Sequence, residues 1–189
     1  MKTRKKCLTV LFMIGTLSSF AQLPQTRITD GIVRTVEDGM LIVPPKGKYD
    51  KLVDSLDQNI KRNPNDTTSL FYRSLIYHSY NQLLAAPYQR TKGTLENLTL
   101  AKDMTEKSII LKMRDPRLKL LRAQIYAELC FRFTGDESWM FNNSQIQSRK
   151  KLFEGYKTLA NRYYDELAKA DENHAYEYSR KKIKYDYRL

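Results

Sequence analysis

"DTTSLFYRSLIY", residues 66–77, is echoed at an offset of 49 residues by "DPRLKLLRAQIY", residues 115–126. Each segment opens with an aspartate, whose carboxylate can accept hydrogen bonds from the unpaired N–H groups of a first helical turn. Pro116 follows the second aspartate, at the helix position where a missing N–H has little effect. The echo therefore predicts two helices that begin after Asp66 and Asp115.

Each predicted helix is preceded by another segment with apolar residues at helical spacing. These preceding segments contain Leu52, Val53, Leu56 and Ile60 in the first unit, and Leu98, Ala101, Met104, Ser108 and Leu111 in the second. After the caps the pattern continues with Leu70, Ser74 and Tyr77, and with Leu118, Leu121, Ile125 and Leu129. Each unit is therefore predicted to be a helix, a very short turn and a second helix.

A third unit follows. Ser144 and Gln147 have the spacing of a capping box, and a long stripe comes next: Leu152, Tyr156, Leu159, Tyr163, Leu167 and Ala170. Asp171 is predicted to open a last helix that carries Ala175, Ser179 and Ile183 and runs to about residue 187. We therefore expect an all-α domain over residues 48–189, with about six helices in three antiparallel hairpins.

The segment "NPNDTTSLFYRSLIY", residues 63–77, resembles the junction of tetratricopeptide-like (TPR-like) helical repeats. It has a proline-containing turn, an acidic cap, a small Ser74 and an aromatic Tyr77, and Ala123 with Tyr126 repeats this arrangement. The resemblance implies stacked hairpins with a concave surface that binds a protein or peptide. The offset of 49 exceeds the family's usual period of about 34. A plain helical bundle uses the same patterns, so both arrangements remain open.

Residues 1–21 have the layout of a secretory signal peptide: a basic start, an apolar run and a small-residue exit. Cleavage is expected after Ala21, and the Phe-Ala-Gln junction resembles Bacteroidetes export sequences, so a periplasmic or secreted protein is predicted. Removal of this segment leaves 29 basic and 21 acidic residues, which gives a net charge of +8. No transmembrane segment is expected in the rest of the chain. Cys130 is then the single cysteine, which excludes an intramolecular disulfide and favours a buried thiol.

Residues 22–47 form an N-terminal arm outside the helical pattern. The stretch "GIVRTVEDGMLIVPP", residues 31–45, can be read as a hairpin around Asp38-Gly39. However, Ile28, Ile32, Val33 and Val36 also fit one face of a helix. A short element packed on the helical body, or linked loosely to it, is predicted in either case.

Sequence motifs for catalysis are sparse. His78 and His174 have no second histidine or cysteine at ligand spacing, so no metal is predicted, and no glycine-rich phosphate loop suggests a nucleotide cofactor. Glu137, in "TGDESWMF", begins a Glu-Ser pair that resembles the one in helical lytic transglycosylases, which cleave peptidoglycan. The other motifs of that family are absent, so the expectation is a protein that is not an enzyme.

We expect a binding protein of the bacterial envelope whose partner is another envelope or secreted protein or peptide. The expected contact residues are aromatic and basic: Tyr80, Trp139, Tyr176, Tyr178, Arg180, Lys181, Lys182 and Lys184. The alternative is peripheral binding of an anionic lipid or glycan through a basic C-terminal helix. Export argues against nucleic acid as a partner. Two simpler interpretations stay open. In one, the basic residues form only a solvated face of the last helix. In the other, residues 139–141 form a loop plug, that is, a loop that covers the end of the hydrophobic core.

Overall fold

The computed structural model describes residues 23–36, 47–84, 93–133 and 140–187, without the side chains of residues 80 and 82–84. The described residues form six α-helices: α1 (Asp50–Arg62), α2 (Thr67–Leu84), α3 (Thr94–Ile110), α4 (Pro116–Phe131), α5 (Asn143–Ala170) and α6 (Ala175–Arg180). They also form a hairpin of two strands, β1 (Thr26–Thr29) and β2 (Ile32–Thr35). The predicted all-α class, with six helices and a short N-terminal hairpin, is confirmed.

The repeated aspartates cap their helices as predicted. The Asp66 carboxylate accepts a hydrogen bond from the Thr68 N–H at 3.2 Å and another from the Ser69 hydroxyl at 2.6 Å. The Asp115 carboxylate accepts from the Arg117 N–H at 2.9 Å. The bonds from the Thr68 and Arg117 N–H groups satisfy backbone donors that the first helical turn would otherwise leave unpaired.

The capping box of α5 lies two residues earlier than predicted. Asn142 and Gln145 exchange side-chain to backbone hydrogen bonds, both at 3.0 Å, whereas Ser144 lies inside the helix. The predicted stripe also needs correction, because Leu152 is 48% exposed and Ala170 is exposed as well. Phe153, one residue beyond Leu152, points into the core instead.

Helices α2 and α4, the second members of the first two hairpins, form the centre of the molecule. Their apolar side chains cover several faces rather than one stripe, which is typical of a helix surrounded by others. The buried residues of α4 include Leu118, Leu120, Leu121, Ile125 and Leu129. Helix α3 instead buries a single face, formed by Thr94, Leu98, Ala101, Thr105 and Ser108. The main packing partner of each helix is its neighbour along the chain, and α2 also contacts α4.

Small residues lie at the points where the central helices meet their neighbours. Ser74 and Ala123 are fully buried, and the Ser74 hydroxyl donates a hydrogen bond to the Ala101 carbonyl of α3 at 2.9 Å. Because the serine side chain is short, this bond shows that α2 and α3 approach closely at Ser74, as predicted. Ala123 is buried, as a small residue at a close crossing should be.

The echo also repeats a polar cluster that the sequence comparison did not single out. Each cluster contains an arginine on the second helix of a hairpin, a carboxylate on the first helix and a tyrosine one turn after the arginine. The members are Asp57, Arg73 and Tyr77 in the first hairpin, and Glu106, Arg122 and Tyr126 in the second. All three pairs of positions are offset by 49 residues, and both hairpins have the arginine–carboxylate ion pair. The tyrosines differ in their contacts, because the Tyr77 hydroxyl accepts from Arg73 whereas the Tyr126 hydroxyl donates to Glu106.

The N-terminal hairpin turns at Asp30 and Gly31, whose φ angles are 52° and 68°. Two left-handed residues in a two-residue loop match the twist of the flanking strands, and Asp-Gly is favoured there. The helical interpretation of residues 28–36 is therefore wrong. The turn lies eight residues before the predicted Asp38-Gly39, which falls outside the described residues.

The arm packs on the helical body. Val33 is buried, and its N–H donates to the side-chain oxygen of Gln124 on α4 at 3.0 Å. Arg117, also on α4, donates to the Thr26 hydroxyl at 2.5 Å. The hairpin and the helices thus share one core.

The C-terminal segment departs from the prediction of a helix that runs to about residue 187. A short 3-10 helix, Glu172–His174, leads into α6, which ends at Arg180. Residues 183–187 have no regular secondary structure and lie against α5. Ile183, Tyr185 and Tyr187 face the protein while Lys184 and Asp186 are exposed. This alternation has the period of two that an extended segment requires.

Among the described residues, no helix is both long enough and apolar enough to cross a membrane.

Candidate functional site

The most exposed aromatic residue of the C-terminal region is Tyr176, at the start of α6. Its side chain is 71% exposed. Arg180 lies one turn later on the same helix, and its guanidinium stands 5.6 Å from the centre of the Tyr176 ring. Residues four apart on a helix are neighbours, and a guanidinium over a phenol ring is an attractive cation–π pair. The pair presents a flat aromatic surface and several N–H donors to solvent.

The predicted basic cluster around this pair divides into two groups. Arg180 and Lys184 are exposed, and Lys181 is half-buried. Lys182 instead points towards α5, where its ammonium donates to both carboxylate oxygens of Asp165 at 2.9 and 3.0 Å. The outward positive charge of residues 180–184 therefore comes mainly from Arg180 and Lys184, and Arg180 is the cation that lies at the Tyr176 ring.

Tyr178 does not lie on this surface, which corrects the expectation that it contacts a partner. Its side chain is 2% exposed and lies close to the hairpin turn at Gly31. Its hydroxyl donates to the Asp171 carboxylate at 3.2 Å, and burial raises the pKa of Tyr178 to about 12. Along a helix, Tyr176 and Tyr178 point in different directions, because successive residues are rotated by about 100°.

Asp171 holds α6 at its N-terminal side. Nδ1 of His174 lies 2.8 Å from the Asp171 carboxylate, which also accepts the Tyr178 hydroxyl. The hydrogen bond from His174 lowers the pKa of Asp171 below its usual value. Asp171 was predicted to open the last helix, and in the structure it directly precedes the 3-10 helix that leads into α6.

The side chains of two other expected contact residues, Tyr80 and Trp139, are not among those that the structure describes. Tyr80 belongs to α2, but its side chain is not described. Trp139 lies outside the described residues, and so does Glu137, the residue of the peptidoglycan-cleaving alternative. Of the loop-plug residues 139–141, Met140 is 45% exposed, whereas the Phe141 ring packs against Arg149 of α5, whose guanidinium lies 4.0 Å from the ring centre.

The remaining reactive side chains are buried. Burial, with a smaller contribution from the charge of Arg132, lowers the pKa of His78 to about 4, so this histidine is neutral at pH 7. The Cys130 thiol lies 3.7 Å from the Phe153 carbonyl, and burial raises its pKa to about 12. A thiol with that pKa is a poor nucleophile at neutral pH. The described residues contain no group of three or more potential metal ligands.

Sequence reasoning missed two residues that organise this region, Asp165 and Asn161 of α5. The Asn161 side chain accepts a hydrogen bond from the Ile183 N–H at 2.7 Å and donates one to the Ile183 carbonyl at 3.0 Å. The sequence contained one indication of their role: Asn161 and Asp165 are polar and four residues apart, so they lie on the same face of the predicted helix.

Comparison of the chain with protein-family models, with curated proteins and with solved structures finds no match. The resemblance to TPR-like repeats therefore stays a prediction from the residues quoted above.

Proposed function

We propose that this chain is an exported, non-catalytic, TPR-like scaffold of the bacterial envelope that binds another envelope or secreted protein. The observation that carries the proposal is the exposed Tyr176–Arg180 pair. Tyrosine and arginine are enriched among the residues that contribute most to protein–protein binding. A solvent-facing pair of this composition is therefore better explained by a partner than by packing within the chain.

The pair is also held in place before any partner arrives. Asp171 fixes one end of α6 through His174 and Tyr178, and the Asn161–Ile183 bonds fix the chain just beyond the other end. A surface that is already ordered loses less conformational entropy on binding. This rigidity supports a recognition role for a helix of only six residues.

The charge of the region favours an acidic partner surface. Arg180 and Lys184 point to solvent, and the full chain has a net charge of +12. Complementary charge speeds the encounter between proteins and fixes their orientation. Export is supported by the layout of residues 1–21, and it would bring the chain to partners in the envelope.

The proposal is tested by affinity capture from crosslinked cell envelopes. The site variant carries Tyr176→Ala, Arg180→Ala and Lys184→Ala. The matched control carries Lys150→Ala, Lys151→Ala and Leu152→Ala, which remove the same charge and one large side chain from an exposed part of α5. Wild type and control should enrich the same protein, and the site variant should lose it. Equal capture by all three chains would overturn the proposed surface.

A second candidate is peripheral binding to anionic lipid or glycan. It is favoured by the exposed Tyr176–Arg180 pair, since aromatic rings and basic side chains suit a membrane–water interface. The basic segment is not one continuous helix, so the contact would involve Tyr176, Arg180 and Lys184 alone. Vesicles with anionic headgroups should then bind wild type at low salt and release it as ionic strength rises. No binding at low salt would exclude this candidate.

A further inference from the structure

The most exposed large apolar side chain among the described residues is that of Ile110, the last residue of α3. It is 76% exposed. Its neighbours Ile109 and Met113 pack against the core. Lys107 and Asp103, three and seven residues earlier, lie on the same face of α3 as Ile110 and are charged. Ile110 therefore places an aliphatic side chain where the helix otherwise presents charge to solvent.

The first hairpin shows that the fold does not require an apolar residue at this position. The residue 49 positions earlier is Lys61, which is exposed in the last turn of α1. A cation there is favoured by the negative end of the helix dipole. The same effect explains basic residues near the end of α3, but it does not explain Ile110.

The turn after Ile110 has a defined backbone conformation. The Met113 N–H donates to the Ser108 carbonyl at 3.0 Å, and the Lys112 N–H donates to the Ile109 carbonyl at 2.9 Å. These are the two bonds of a Schellman motif, whose left-handed residue is usually glycine. Here that residue is Lys112, with a φ of 60°. Residues other than glycine in this strained conformation cluster at functional sites, which indicates a role for the lysine side chain.

Two outward cations lie in the same turn as this exposed aliphatic residue. Lys112 and Arg114 are both exposed. The carboxylate that follows them in the chain, Asp115, is bound by Arg117, whose Nε donates to its two oxygens at 2.9 and 3.0 Å. The charges of Lys112 and Arg114 are therefore available to anionic groups outside the chain.

This combination fits a lipid surface better than a protein surface. A stable protein interface buries about 800 Å² on each partner, whereas the turn projects one aliphatic side chain and two cations. A bilayer accepts so small a contact. Apolar side chains enter the boundary between headgroups and acyl chains, and basic side chains are attracted to anionic headgroups.

We propose that the α3–α4 turn, residues 110–114, is a contact site for a bilayer that contains anionic lipids. Ile110 enters the headgroup region, and Lys112 and Arg114 bind the lipid phosphates around it. The contact is reversible and weakens as salt screens the charges. The inference goes beyond the proposed function, because it assigns a second surface and leaves the Tyr176–Arg180 pair of α6 available to a protein partner.

The test attaches an environment-sensitive NBD fluorophore to the full chain at Ile110→Cys, and in a control chain at Leu152→Cys. Both chains carry Cys7→Ser, and the buried Cys130 is protected from labelling. Leu152 is also an exposed aliphatic residue, in the half of α5 that packs against the C-terminal end of α4. Residues 1–21 are otherwise the same in both chains, so they cannot produce a difference between the two probe positions.

Vesicles of phosphatidylglycerol and phosphatidylcholine should shift the emission of the probe at position 110 to shorter wavelength and leave the probe at position 152 unchanged. Vesicles of phosphatidylcholine alone should shift neither probe. No shift at position 110, or equal shifts at both positions, would overturn the inference.

Two variants of the chain labelled at position 110 locate the contact. Lys112→Gly removes one charge and suits the left-handed backbone, so the protein should unfold no more easily. The vesicle concentration at half of the emission shift should nevertheless rise about fivefold, and an unchanged midpoint would contradict the site. A chain with Tyr176→Ala, Arg180→Ala and Lys184→Ala should keep the shift. Its loss would assign lipid binding to α6, the second candidate above, and overturn the inference.

Discussion

Arg122 holds Glu106 through two parallel N–H donors, each 2.6 Å from a carboxylate oxygen. The guanidinium also stacks on the Tyr163 ring of α5 at 3.8 Å. One side chain therefore joins α3, α4 and α5. Bidentate pairs with good geometry are among the stronger polar contacts in proteins.

The equivalent arginine, Arg73, provides a matched comparison. Its partner Asp57 is 51% exposed, whereas Glu106 is 27% exposed. Arg122→Ala should therefore lower the free energy of unfolding by about 2–3 kcal/mol, and Arg73→Ala by about 1 kcal/mol. Urea unfolding of the two variants checks the order. A larger loss for Arg73→Ala would contradict the expectation that the pair with the less exposed carboxylate is the stronger one.

The buried His78 should make stability depend on pH in a defined window. Its pKa is 6.5 in the unfolded chain and about 4 in the folded protein. Between those values the unfolded chain binds more protons, so stability is complete above pH 6.5 and is lost as pH falls towards 4. The full loss is of order 3 kcal/mol.

Urea unfolding at several pH values measures this loss, with His78→Gln as the control. The variant carries no titrating ring, so its stability should change much less between pH 6.5 and 4. Asp115 does not interfere, because the hydrogen bond from Arg117 holds its pKa below the usual 3.8 and its contribution is lost at lower pH. Parallel pH profiles for wild type and variant would contradict the burial of a neutral His78.

Two glycines should respond to alanine in opposite directions. Gly31 has a φ of 68°, and an added Cβ would stand 3.4 Å from the Cβ of Glu177. Gly31→Ala should cost about 1–2 kcal/mol of stability. Gly155 lies within α5 with open space around it, so Gly155→Ala should stabilise by about 0.5–1 kcal/mol. Thermal unfolding of both variants checks the pair, and the same sign for both would contradict the assigned backbone geometry.

The full burial of Ala123 predicts intolerance of larger side chains at this position. Ala123 is fully buried, so Ala123→Leu should destabilise the protein by about 1–3 kcal/mol through overpacking. Ala170, exposed at the end of α5, is the control, and Ala170→Leu should change stability by less than about 0.5 kcal/mol. Similar unfolding midpoints for the two variants would show that the space at Ala123 is not restricted.

The helical hairpins were predictable because local rules and tertiary packing agree there. Asp66 and Asp115 cap helices with the apolar spacing expected, and Ser74 and Ala123 are buried as small residues should be at a close crossing. The carboxylates of the repeated clusters were harder to find. Asp57 and Glu106 differ in type, and their contacts depend on how two helices align.

The N-terminal turn and the C-terminal segment were predicted less well for identifiable reasons. The arm contains two Asp-Gly pairs, and the burial of Val33 against α4 selects the hairpin at the earlier one. Ile183 fits both a helical stripe and a two-residue alternation with Tyr185 and Tyr187. The contacts of Asn161 and Phe153 on α5 favour the extended form. The sequence of residues 183–187 alone could not predict this, because these contacts come from another part of the chain.

The central claim, that α6 presents a protein-binding surface, is tested most directly by photocrosslinking in cells. A benzophenone amino acid replaces Tyr176, and in a control chain it replaces Leu152, which is also exposed. Light should produce one adduct of defined mass from position 176, lost when Arg180→Ala and Lys184→Ala are added, and no such adduct from position 152. No adduct from position 176, or the same adduct from both positions, would contradict the claim.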